Sequence, residues 1–433
     1  MAYIQYAKGG TDYRTKGTIS CWVKRSKLTG DQYIWSWGEN NSSDAYLRFD
    51  SANNIECNID GAGSNFNSTR LFRDPNAWYH FVVSLDGSNA TANLRRRIWV
   101  NGVQLDDGNS AIGTFSAAIF GAHSTHDLWF GSNARSQQGS SISALDGLMS
   151  HIHYCSNYSY AASDFGETDA TTGEWKIKTS PNVQYGSEGF FLKMEDSSNL
   201  DLDSSGNNKT LTTSGTLTAT KDCPSNIFAT LNPLDNATSG TQNFSNGNTT
   251  FETNKQCRTT LGASSGKWYC EAKYVNNTSY SGIAQMDGDN SYGTNSIVLF
   301  GANNGEIFVS NSVTDNNVGA GTAIDNNSII MFAMDLDNNR LYIGKNGSWW
   351  TDGAGFNSAN LNSYKTITRV AGDSFGFKCS SGSGTGTTSW NFGNGVFGTT
   401  AVSSAGTNAS NNGIFEYDVP TGYTALSTKG LNS

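Results

Sequence analysis

Two stretches of the chain share one hydrophobic pattern. Residues 78–86 (WYHFVVSLD) are an apolar run closed by Asp86, and a polar connector leads to residues 98–103 (IWVNGV), with Asn101-Gly102 at the turn. Residues 329–335 (IIMFAMD) likewise end on an Asp, and residues 340–344 (RLYIG) run into Lys345-Asn346-Gly347. Each predicts strand, polar turn, strand and Asn-Gly hairpin, because Asn and Gly accept the positive φ angles of a type I′ turn. Residues 18–24 (TISCWVK) place Ile19, Cys21 and Val23 on one face and Ser20, Trp22 and Lys24 on the other, the pattern of a half-buried strand. Further short runs at 32–38, 46–49, 55–59, 128–131 and 148–154 are separated by Gly, Asn and Asp. The fold class expected is all-β, as two tandem antiparallel β-sandwiches.

Composition agrees. Aromatic residues make up 12% of the 433 and charged residues 15%, with 48 Gly and only 5 Pro, so turns rest on Gly, Asn and Asp. The formal net charge of −9 gives no footprint for a nucleic-acid backbone. The basic run Arg95-Arg96-Arg97 enters a strand and reads as a solvated edge. No apolar stretch approaches a membrane span, and the start MAYIQYAKGG lacks the apolar core of a signal peptide. Seven cysteines without metal-type spacing predict reduced, buried thiols and synthesis in a reducing cytoplasm.

Two resemblances are carried by ordered motifs. TISCWVKRS, DPNAWYHFVVSLD, RIWVNGVQL, LWFG and DGLMSHIHY, with ASDFGETDATTGEWKIK after them, resemble a laminin-G or concanavalin A-like lectin domain of the variety found in tailed-phage structural proteins. That resemblance covers residues 1–180 and implies a jelly-roll sandwich with ligand loops at one rim. GKWYCE, DLDNNRLYIGKNGSWW and WNFGNGVF resemble a SPRY domain over residues 236–433. It implies a bent sandwich that binds partners through loops without catalysis, in which the D-L-D turn is structural. Residues 181–235 are expected to supply one strand and a connecting segment, with residues 223–235 marking the junction. The tail VPTGYTALSTKGLNS resembles the ending of the same phage proteins.

Candidate chemistry is thin. Gly262-Ala263-Ser264-Ser265-Gly266 matches G-x-S-x-G, but a strand rather than a helix is expected after it, and all five His precede residue 154. A turn is the stronger reading. With Lys267 the same stretch lacks one residue of a phosphate loop, and Trp268 replaces the magnesium-binding hydroxyl. His151 and His153 lie two apart on a strand, with His123 and His126 near in sequence; a structural role is favoured over a zinc site. Asp201, Asp203 and Ser205, closed by Gly206, alternate oxygens as a calcium loop does, with a plain Asp turn the stronger reading. Residues 287–290 are a weaker case of the same kind. The glucanase signature E-x-D-x-x-E is absent, so no enzyme activity is expected. Trp349 and Trp350 follow the Lys345-Asn346-Gly347 hairpin, and Trp350, Trp349, Tyr292 and Asn290 are the candidate ligand-binding residues, as rings and amides that suit a glycan.

The resemblances together imply a tailed-phage virion surface protein made in the host bacterial cytoplasm, with no cofactor beyond the candidate calcium. The first expectation is a tail fibre or other receptor-binding protein that recognises a host cell-surface glycan or protein. The alternative is a capsid decoration or head-fibre protein bound to other virion proteins. A homo-oligomer is expected, with a trimer among its forms, although no heptad or collagen-like stalk is present.

Overall fold

The computed structural model describes residues 2–7, 15–38, 45–59, 65–105, 127–133, 143–235, 243–253, 256–276, 279–287, 296–301, 305–310, 312–316, 324–381 and 386–432. The protein is all-β, with a single four-residue α-helix, Thr428–Leu431, among the described residues. No helix of the described residues is long and apolar enough to cross a membrane. The chain divides into two compact units, Met1–Ala219 and Thr220–Ser433. The expected connector at 181–235 is thereby shared: its strand joins the first unit, while residues 220–235 fold with the second, where Phe228 bridges Ser427.

In the first unit the strands are, in chain order, β1 (Tyr3–Ala7), β2 (Lys16–Arg25), β3 (Gln32–Gly38), β4 (Ala45–Phe49), β5 (Ile55–Ile59), β6 (Phe66–Asn67), β7 (Tyr79–Asp86), β8 (Arg96–Val100), β9 (Val103–Gln104), β10 (Asp127–Phe130), β11 (Gly147–Ser156), β12 (Gly166–Thr168), β13 (Trp175–Ile177), β14 (Phe190–Leu192) and β15 (Thr212–Ser214). A seven-stranded sheet runs β15, β1, β10, β3, β4, β5, β6, and a six-stranded sheet runs β14, β11, β2, β7, β8, β9. Alternating residues of both sheets, among them Ile19, Cys21 and Val23 of β2 and Trp35, Trp37, Leu47 and Phe81, fill one core between them. Asn101 and Gly102 have φ of 47° and 79°, the left-handed pair that the hairpin between β8 and β9 requires.

The other face of β2 departs from expectation. Ser20, Trp22 and Lys24 are buried as completely as their neighbours. Residues 160–185 lie across this outer face, where Tyr160, Phe165, Trp175 and Tyr185 pack against Val82, Trp99 and Cys155. The half-buried strand is therefore buried on both sides. The Arg95-Arg96-Arg97 edge is corrected too. Arg96 is 1% exposed with its guanidinium over the Phe66 ring, and Arg97 covers Trp99, so their apolar stems serve packing.

The second unit repeats the device. Lys267–Tyr274 lies between Ile329–Asp335 and Gly386–Asn391 in a ten-stranded sheet, and a six-stranded sheet covers one face of it. Trp390, Phe332, Phe377 and Trp350 belong to the core between the sheets. On the opposite face, Phe415, Val419 and Tyr423 from the C-terminal segment pack against Tyr269, Ala333 and Trp349. Asn346 and Gly347, at φ of 46° and 85°, make the second Asn-Gly turn.

Candidate functional site

Strand alternation places polar and aromatic side chains on the outer face of the seven-stranded sheet, and Tyr33, Ser36, Tyr46, Glu56 and Trp129 among them are buried. Ile4, Leu47, Cys57 and Leu128 point to the core, so their neighbours point away from it. The register then aligns Gln5, Trp129, Ser36, Tyr46 and Asn58 in one row across five strands. A second row runs Tyr33, Arg48, Glu56 and Asn67. The shift in register between Tyr33 and Trp35 is what brings Tyr33 into that row.

Arg48 organises the second row. Its Nε donates to Glu56 at 2.7 Å and its Nη1 to Asp31 at 2.6 Å and to the Tyr33 hydroxyl at 3.1 Å. The guanidinium lies over the Tyr33 and Tyr46 rings, with centroids at 5.4 and 5.1 Å. The Tyr46 hydroxyl donates to Glu56 at 2.8 Å, and burial with that carboxylate beside it raises the phenol's pKa. Tyr33, Tyr46 and Glu56 are themselves buried, so the rings, the guanidinium and the carboxylates of this cluster satisfy one another.

Trp129 supplies a further feature of the face. It is 3% exposed, and its indole N–H finds no acceptor among the described residues. Ser132 Oγ and Asn133 Oδ1, just beyond the same strand, are likewise buried without a partner. A buried donor without an acceptor costs roughly 1–3 kcal/mol. Trp129→Phe removes this N–H together with part of a buried ring, so the first unit's Tm should fall by several degrees, as thermal unfolding would show; an unchanged Tm would contradict the packing of the indole.

The rim of this sheet is defined by strand ends. Asp127 pairs with Ala7 on one side and Gly38 on the other, and Trp37, Ala45 and Ile59 lie in register beside them. Residues 8–14, 39–44, 60–64 and 106–126 lie outside the described residues.

The residues singled out from sequence fare differently. Trp349 and Trp350 are 4% and 3% exposed. Trp350 sits in the core between the sheets and Trp349 in the core beneath the C-terminal segment, because both faces of Ser348–Thr351 are covered. Neither ring faces a rim, which corrects the glycan-stacking expectation for this pair. Tyr292 and Asn290 lie outside the described residues, as do His123 and His126. In the Asp201, Asp203, Ser205 loop, Asp203 Oδ1 accepts the Phe191 and Ser205 N–H groups and Oδ2 that of Lys209, while Ser205 Oγ accepts Asn207 N–H. The Asp203 and Ser205 oxygens thus accept the turn's backbone N–H groups, the role of a plain Asp turn. Asp203→Ala should cost the first unit about 2 kcal/mol by orphaning backbone N–H groups; urea unfolding would measure it, and an unchanged midpoint would contradict the role.

His151 stands at a bulge with φ of 48°, which breaks the two-residue alternation toward His153. His153 stacks on Phe191 at 3.9 Å, and its Nδ1 lies 3.0 Å from the Tyr185 hydroxyl. His80, unremarked in the sequence, is enclosed between Trp22 and Trp175. The Gly262–Gly266 stretch is a turn: Ser265 O accepts the Trp268 indole N–H, Gly266 N–H donates to Asp337, and the strand Lys267–Tyr274 follows. Asp335 accepts from Asn338 and pairs with Lys267 at 3.3 Å, so both Asp residues of the D-L-D turn have structural partners.

Residues 2–157 match a family model described as the Concanavalin A-like lectin/glucanases superfamily. No curated protein matches the chain. Similar solved structures include a candidate carbohydrate-binding protein from Bacteroides ovatus, at 15% identity and TM-score 0.31, covering 49% of this chain and 56% of that one. A heptameric SAP-like pentraxin from Limulus polyphemus follows at 12% identity and TM-score 0.31, covering 49% of this chain and 88% of its own. The SPRY domain of human HERC1 is similar at 10% identity and TM-score 0.28, covering 37% of this chain and 96% of its own.

Proposed function

We propose that this chain is a non-catalytic glycan-binding protein on the surface of a tailed-phage virion, in the manner of a tail fibre or receptor-binding protein. The observation that carries the binding reading is the match of residues 2–157 to a lectin-containing superfamily; within that region the partly exposed members of the five-strand row are Gln5 and Asn58. A sugar would hydrogen-bond the side-chain amides of Gln5 and Asn58. The same face argues against hydrolysis. Asp31 and Glu56 are both tied to Arg48, whereas a glycosidase keeps one carboxyl free to deliver a proton.

The virion placement rests on the ordered sequence motifs of both units, and the SPRY-like second unit would bind a neighbouring virion protein or a second copy through its loops. The lack of a stalk sequence keeps capsid decoration as the second reading. Gold-labelled antibody on purified particles tests the placement. Label at the tail is the expected result, label over the capsid shell selects decoration, and particles without label overturn the virion reading.

A further inference from the structure

Cys257 and Cys379 are directly opposite each other on adjacent antiparallel strands of the second unit, Gln256–Arg258 and Phe375–Ser381. Their sulfurs are 3.2 Å apart, both side chains are fully buried, and both are free thiols. Two residues on, Thr259 N–H donates to Phe377 O across the same ladder, so by alternation the cysteines occupy a hydrogen-bonded pair. Such a pair holds its Cα atoms about 5.5 Å apart, inside the span a disulfide bridges. Gln256–Arg258 is a three-residue strand at the sheet edge, the kind of element that opens locally without global unfolding.

We propose that Cys257 and Cys379 are a cross-strand redox pair that is reduced in a reducing compartment and closes to a disulfide under a peroxide oxidant. One thiol gives up its proton and the thiolate attacks a peroxide oxygen; the O–O bond breaks and the leaving hydroxide takes up that proton as water, giving a sulfenic acid. The second sulfur displaces the sulfenic hydroxyl, the S–S bond forms and a second water departs. Two thiols are oxidised and one hydrogen peroxide is reduced to two waters. Burial raises the Cys257 pKa well above that of a free thiol, so the closed strand reacts slowly and the opened edge admits the oxidant. The two residues are 122 apart in sequence, so the link closes a long loop and restrains the unfolded second unit.

The test treats the folded full-length chain with hydrogen peroxide, alkylates it in denaturant and maps peptides by mass. The expected product is an intramolecular Cys257 to Cys379 link lacking two hydrogens, with a second-unit Tm several degrees higher that reverts on adding dithiothreitol. A Cys223→Ser variant should behave identically, and a Cys379→Ser variant should form no link and show no redox-dependent Tm. Cys223, the half-exposed cysteine, reports in the wild-type chain that oxidant was sufficient. Recovery of Cys257 and Cys379 as alkylated thiols at a dose that oxidises Cys223 would overturn the proposal, as would linkage of either residue to any other cysteine.

Discussion

Lowering the pH from 6.5 to about 4 is expected to destabilise the first unit by on the order of 3 kcal/mol, through His80. The ring is fully buried between Trp22, at 4.7 Å, and Trp175, at 6.0 Å. Trp175 Nε1–H can only donate, so His80 Nδ1 accepts it at 3.0 Å and Nε2–H donates to Ser20 Oγ at 2.8 Å. Protonating Nδ1 would set two donors against each other in a dry site. Burial accordingly lowers the His80 pKa from 6.5 to about 3. Below 6.5 the unfolded chain binds a proton that the native state refuses, so stability is present above that pH and is lost on descent toward the folded value. His153, also fully buried with its pKa lowered by burial, adds loss of the same sign. Peptide-level hydrogen exchange across this range should show residues 2–219 losing protection. Protection unchanged to about pH 4 would mean that His80 is charged in the native state.

Glu271→Ala is expected to cost the second unit at least about 4 kcal/mol, a loss reached only when several buried groups are orphaned together. Glu271 is fully buried in the strand Lys267–Tyr274. Oε1 accepts the Tyr269 hydroxyl at 3.0 Å and Tyr417 N–H at 2.9 Å; Oε2 accepts Glu416 N–H at 2.9 Å and Asn391 Nδ2 at 3.2 Å. One carboxyl group thus joins the GKWYCE strand, the WNFG strand and the C-terminal segment that covers Tyr269. Its loss strands four donors and frees that segment. Burial pushes the Glu271 pKa from 4.5 up to about 7, against the lowering effect of these hydrogen bonds. Between those values the native state holds a proton that the unfolded chain has released. This contribution to stability therefore falls by about 3 kcal/mol as pH rises through the window, opposite in sign to the first unit. Glu271→Gln should flatten that dependence. Urea unfolding of the variants at about pH 5 and 8 would check both claims, and a Glu271→Ala midpoint equal to wild type would refute the role of the carboxyl.

These two sites show what was legible in the chain. Both Asn-Gly turns were, because the positive φ pair is a local demand that few residues meet. The strands around them were legible for the same reason, since alternation is a local signal. What escaped was whatever depends on a distant segment arriving. Ser20, Trp22 and His80 look like the wet side of a sheet until residues 160–185 close over them. Trp349 looks like a rim aromatic until Phe415 and Tyr423 arrive from the far end of the second unit. Arg96 looks like a solvated charge, yet it packs on Phe66. The row on the seven-stranded sheet escaped too. No single strand of it carries a motif, and Gln5, Trp129, Ser36, Tyr46 and Asn58 become neighbours only through the strand order. A usable signal was present: each is a polar or amphipathic residue flanked by two that belong in a core.

The central claim is that this face binds glycan. Its most direct test is a glycan array probed with the wild-type chain and with Asn58→Ala, which removes a partly exposed amide of the row. The account predicts that wild type binds a defined glycan class and that the variant, folded and of equal Tm, binds it about tenfold more weakly, the worth of one hydrogen bond. Equal binding by the two proteins, or no glycan bound by wild type, would contradict it.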